Sequence, residues 1–173
     1  MLKKNNLIIY ALVLVVLVLG IFVLFQYYSL GGIVNEPFEK NESELIAVEV
    51  FYANSIKNPE MLDCSLVFPV NRVVKNRGKI YEETLRILLD GPNLDEQTAG
   101  YKNMIPESTQ LNFAKFNNGI LVADFNDKLD YAVGGACWVS AIRSQIEQTM
   151  KQWPEVREVV VSVNGKSEYI LQP

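Results

Sequence analysis

The chain has 173 residues, 49% of them apolar, with 16 basic and 20 acidic side chains and a net charge of −4. It contains no histidine, which removes histidine triads, a histidine general base and histidine metal ligands, and its two cysteines are too few for a structural zinc site. Past Lys4 there are 14 basic against 20 acidic groups, a net of −6, which argues against nucleic acid as a partner.

No charged residue lies between Lys4 and Glu36, and Leu7 to Phe25 is an unbroken apolar run of 19 residues. As a helix it reaches roughly 28 Å, close to the ~30 Å hydrocarbon core of a bilayer. Only a helix crosses lipid as a single segment, because each backbone polar group must find its partner internally. Residues 7–28 are therefore expected to form one transmembrane helix. Lys3 and Lys4 precede it and Glu36, Glu39, Glu42 and Glu44 follow it, so residues 1–6 are expected in the cytoplasm and the C-terminal part outside. Tyr27 and Tyr28 fit an outer aromatic belt. A cleaved signal peptide is the alternative. The run exceeds the usual apolar stretch of roughly 7–15 residues, and no Ala-x-Ala site follows it. This reading gives a single-pass plasma-membrane protein that meets the lipid bilayer through residues 7–28.

Residues 29–44, with Gly31-Gly32, Asn35, Pro37 and the acidic cluster, read as a stalk. About 129 residues, 45–173, remain for one domain with a real core. Leu45–Ala53 alternates as a strand, and Leu66–Val74 reads as a second, with Pro69 marking an edge or bulge. Ile80–Leu89 has helical spacing with Glu82 and Glu83 in its first turn, and Gly91-Pro92 stops it. Asn93 and Glu96 form a capping-box pair for a short helical turn that Gly100-Tyr101 ends. Leu111–Phe116 and Ile120–Phe125 flank Asn117-Asn118-Gly119, a hairpin signal. Asn126 caps a brief turn through Leu129. After Gly134-Gly135 comes the longest helix of the domain, about Trp138–Trp153, with an apolar stripe of Val139, Ile142, Ile146, Met150 and Trp153. Glu158–Val163 is an apolar strand, Asn164-Gly165 turns the chain, and Tyr169–Leu171 is a candidate last strand. The expected fold is α+β, a mixed β-sheet packed by two main helices and preceded by one transmembrane helix.

Three readings of Cys64 and Cys137 stand open: a disulfide, two buried thiols, or a reactive Cys137 at a helix start. Trp138 is either core or an exposed anchor for a partner. Arg72, Lys75, Arg77 and Lys79 form a basic stretch, either a solvated loop or a contact for an acidic partner or lipid headgroups. Asp63, Glu107, Asp124, Asp127 and Asp130 are the carboxylates from which a glycosidase pair could be drawn. Asp124 beside Asn126 is read instead as capping the turn that follows.

The strings Leu89-Asp-Gly-Pro92, Glu96…Gly100-Tyr101…Ile105-Pro106, Val122-Ala-Asp-Phe125, Ile142-Arg143…Gln145-Ile146…Thr149 and Val160…Val163-Asn-Gly-Lys166 together resemble a GerMN domain, from about Ile46 to Leu171. The resemblance implies an extracytoplasmic module of the bacterial cell envelope with no known catalytic residues. Such modules occur in GerM-like sporulation and germination proteins and in actinobacterial lipoproteins associated with sensor kinases. This chain departs from GerM in carrying the domain once and a helix in place of a lipid-modified Cys, so a sporulation role is not carried over. The resulting expectation is a non-enzymatic scaffold or adaptor, without metal or cofactor, for an envelope protein partner. A module binding envelope glycan or peptidoglycan is the alternative, and a cell-wall hydrolase is a third reading. Trp138, Arg143 and Tyr101 are the candidate contact residues. A polar cleft floored by Arg143 or Tyr101 favours ligand binding, and a convex face with a strand edge or aromatic patch favours assembly.

Overall fold

A computed structural model describes residues 2–31 and 44–172, with side chains in the first segment described at Tyr10 and over 12–28. Most of the expected stalk, residues 32–43, and the side chains of Lys3 and Lys4 lie outside the described residues. The chain forms two units, 1–41 and 42–173. In the first, α1 runs Leu2–Gly31, and its apolar side chains from Leu12 to Phe25 are exposed all around. Among the described residues, no helix is long and apolar enough to cross a membrane, so the transmembrane helix expected over residues 7–28 is not found among them.

The second unit begins with β1 (Glu44–Asn54), antiparallel to β2 (Phe68–Asn76). Its inward positions Val48, Val50 and Tyr52 are buried, as alternation requires. Next come α2 (Ile80–Asp90), the short α3 (Leu94–Thr98) and β3 (Tyr101–Lys102), which pairs with the end of β1. The hairpin of β4 (Leu111–Asn117) and β5 (Ile120–Phe125) turns through Asn118 and Gly119, both at positive φ. α4 (Ala136–Met150) then crosses over to β6 (Glu158–Val163), which lies parallel to β5.

The single mixed sheet expected from the sequence is instead two three-stranded sheets, β2-β1-β3 and β4-β5-β6, of which only the second is mixed. Side chains explain the break. Gln152 clamps Glu49, its carboxamide donating to the backbone O at 2.8 Å and accepting from the N–H at 2.9 Å. Thr149 Oγ1 accepts from Phe51 N–H at 3.0 Å. On the side β1 turns away from β2, the Glu49 N–H and C=O and the Phe51 N–H are thus satisfied by the end of α4 and its flank, and β3 pairs only beyond them, at Ala53 and Asn54. Tyr169–Leu171 is not a strand, because Tyr169 and Leu171 sit at φ 59° and 48°, where extended pairing is impossible. Ile170 and Leu171 are buried nonetheless, and Leu171 N–H donates to Asp130 Oδ1 at 2.8 Å. One core, including Tyr52, Leu85, Leu88, Leu121, Phe125, Ile142, Ile146 and Met150, joins both sheets to α2 and α4.

Candidate functional site

An open groove of about 710 Å³ runs between the corner after α2, Leu89–Pro92, and the segment Tyr101–Ile105. Local chemistry builds both walls. Gly91, at φ 81°, ends α2 and donates its N–H to Leu88 O at 3.2 Å. Asn93 and Glu96 form the capping box of α3, and Glu96 also takes a two-pronged hydrogen bond from Arg72 on β2, both contacts at 2.7 Å. Arg72 is therefore spoken for within the domain. Its hydrogen bonds hold the Glu96 carboxyl below the usual value, against the opposing effect of burial. Gly100, at φ 90°, has no room for a Cβ, which would sit 2.8 Å from Ile56 Cγ1.

The second wall is bolted to α4. Gln145, fully buried, accepts from Met104 N–H at 2.7 Å through Oε1 and donates through Nε2 to Asn103 Oδ1 at 2.9 Å. Trp138 Nε1 donates to Met104 O at 2.7 Å. Asn103 Oδ1 also accepts from Ile105 N–H at 3.1 Å. With its oxygen so engaged, the Asn103 carboxamide turns its NH₂ toward Gly91, where a Cβ would lie 3.7 Å from Nδ2.

Tyr101 lines the groove, while its hydroxyl reaches Lys57 Nζ at 3.1 Å and Pro69 O at 3.4 Å. The Trp138 ring is about one-third exposed, and its indole N–H serves the groove wall. Arg143 lies away from the groove lining and donates to Ile170 O at 2.9 Å. Cys64 and Cys137 are joined as a disulfide with Cα atoms 5.0 Å apart, which ties the loop after β1 to the start of α4. Sequence reasoning missed Asn103 as a site residue and read Gln145 only as part of a family string. Gln145 carried a signal: three residues after Ile142 and next to Ile146, it places an amide on a buried helix face, where it needs hydrogen-bond partners.

Three of the candidate carboxylates, Asp63, Asp124 and Asp130, are engaged in structural hydrogen bonds. Asp124, almost wholly buried, accepts from Ser162 Oγ at 2.5 Å, Gly165 N–H at 2.7 Å and Asn112 Nδ2 at 2.9 Å. Burial pushes its carboxyl up, but these three donors outweigh that and hold it below the ordinary 3.8. It ties β5 to the turn after β6 and does not cap the helical turn that follows; Asn126 alone does that, accepting from Lys128 N–H. Asp63 accepts from Ser65, and Asp130 holds Leu171. Among the described residues no group of three His, Cys, Asp or Glu side chains could hold a metal ion.

A two-sheet α+β module with an open, polar-edged groove is the class these features define. Residues 49–169 match the Germane family, described as sporulation and spore germination, and the chain belongs to that family. No curated protein matches it. The chain is similar in structure to the tandem GerMN domains of the sporulation protein GerM from Bacillus subtilis, with 22% identity and a TM-score of 0.59 over 79% of this chain. It spans 43% of the length of that tandem structure. The first GerMN domain of the same protein gives 14% identity and a TM-score of 0.50, covering 70% of this chain and 85% of that one. The domain is GerMN-like, as its sequence strings imply.

Proposed function

We propose that this protein is a membrane-anchored, non-catalytic adaptor that presents one GerMN-like module on the outer face of the plasma membrane for an envelope protein partner. The observation that carries the non-catalytic reading is the engagement of three polar clusters in structural bonds: buried Asp124 with three donors, half-buried Arg72 with Glu96, and buried Gln145 with the groove wall. Support for the anchor comes from the sequence, in its charge-free run Leu7–Phe25 and the basic pair before it. A glycan-binding module is the second reading, favoured by the polar groups along the groove.

Affinity capture with the tagged full-length chain from detergent-solubilised envelope tests the adaptor reading. A specific protein recovered after chemical crosslinking is the expected result; glycan fragments with no protein would sink it. The topology is tested by adding protease to intact cells stripped of their wall. Loss of the 42–173 unit with survival of an N-terminal tag supports the orientation, and the reverse pattern refutes it.

A further inference from the structure

Among the described residues, β3 is the end strand of its sheet, with β1 on one side and no strand on the other. Ser55 N–H donates to Gly100 O at 2.9 Å. In an antiparallel ladder, hydrogen-bonded pairs alternate, so the next pair toward β1 is Ala53 with Lys102. Tyr101 therefore turns its backbone N–H and C=O away from β1. Such an unpaired edge is a template for another extended chain. The segment that continues from it is held rigid, since Gln145 and Trp138 on α4 take both backbone polar groups of Met104. Rigidity lowers the ordering cost of binding. The fixed Asn103 amide stands close to Gly91, where a Cβ would lie 3.7 Å from Nδ2, and it is a donor suited to a peptide carbonyl. Asp90 and Glu107 are exposed lining residues without an ion pair among the described residues, opposed only by Lys102.

We propose that this groove binds an extended peptide segment of a partner protein, added as a strand along the free edge of β3 and carrying a Lys or Arg toward Asp90 and Glu107. The proposal rests on the adaptor reading and gives it a site and a ligand chemistry. Peptide backbone explains the strand edge and the Asn103 amide together, and the basic side chain answers the acidic lining.

The test uses the isotope-labelled 42–173 unit, whose core is drawn wholly from its own residues. The probe is a capped octapeptide alternating Val and Lys. Its counterparts are the same peptide with alternating Val and Glu, and the Lys peptide N-methylated along one strand edge. The expected result is amide shift changes centred on Tyr101–Ile105 and the Asn103 side chain with the Lys peptide. Binding should be at least about tenfold weaker for the other two. Asp90→Asn combined with Glu107→Gln, both at exposed positions, should weaken binding about fivefold without lowering the melting temperature. No shift with the Lys peptide, equal binding of the methylated peptide, or changes centred elsewhere overturns the assignment. A disaccharide of N-acetylglucosamine that shifts the groove residues when the peptides do not overturns it in favour of a glycan. These failures leave the adaptor reading standing if the full-length chain still captures an envelope protein, whereas an empty capture removes that reading itself.

Discussion

Asp124, almost wholly buried, accepts three hydrogen bonds. Replacing it with Ala strands the buried Ser162 Oγ and takes the acceptor from Gly165 N–H, and the expected loss is about 3 kcal/mol of unfolding free energy, read by urea denaturation. Its pH signature follows from the sign of the shift. The folded carboxyl titrates below the ordinary 3.8, so its contribution is fully present above that value and is lost as pH falls toward the lowered one. Glu96 acts in the same sense below its ordinary 4.5. The unfolding midpoint should therefore be level through neutral pH and drop in acid, with a shallower drop in Asp124→Asn. An acid limb unchanged in that variant removes Asp124 from the explanation. Gly100→Ala combines a positive φ with a Cβ 2.8 Å from Ile56 and 3.0 Å from Asn54 Oδ1, and an expected cost of about 2 kcal/mol or more. The alanine variant melting at the wild-type temperature contradicts that packing.

At the scale of elements, the sequence disclosed each long strand and helix because their apolar residues repeat at two or at three to four positions. Within the 42–173 unit the ends drifted by up to three residues: α4 stops at Met150, ahead of the Trp153 that closes its stripe. What the sequence withheld was which strands pair. Alternation marks a buried face but says nothing of what lies beyond an edge. Beyond the edge of β1 that faces away from β2, the partners of Glu49 and Phe51 proved to be Gln152 and Thr149, polar residues about a hundred positions away in the chain. The two-residue β3 was invisible for a related reason: it is a strand only because β1 lies beside it. The groove was legible in part, since the Gly-Pro and Gly-Tyr strings mark its ends, while Asn103 gains its orientation only from contact with Gln145. Gln152→Ala and Thr149→Val each leave a β1 backbone group unpaired and should cost about 1–2 kcal/mol apiece. Amide hydrogen exchange at Glu49 and Phe51 should quicken in the respective variants while Val50 stays protected; uniform quickening along β1 contradicts a local cap.

For the module as a whole, the Cys64–Cys137 bond closes a loop of 73 residues that takes in β2, α2, α3, the groove and the central hairpin. In the chain-entropy account, closing a loop of that length restrains the unfolded chain by about 4 kcal/mol. Cys64→Ser with Cys137→Ser should lower stability by up to that amount, and a reductant should lower the wild-type midpoint without affecting the double variant. Two thiols that alkylate in unreduced, denatured protein show that the bond is absent. The disulfide also joins the loop after β1 to the helix that braces Met104, so reduction is expected to increase exchange at Met104 before global unfolding. Unchanged exchange there separates the bond from the groove wall.

The clamp of Gln152 on Glu49 spans 103 residues, which sets a clock on biosynthesis. The ribosome makes β1 early and α4 late. At about ten residues per second, roughly ten seconds separate the two, and for most of that time β1 can hold its β2 partner while its far side lacks its cap. For that interval the nascent chain exposes a row of open backbone groups, competent to pair with any other extended chain nearby. A holding chaperone, or the retention of the growing chain in a narrow export channel, would be most useful in that window, and variants lacking Gln152 would carry the same opening into the finished protein.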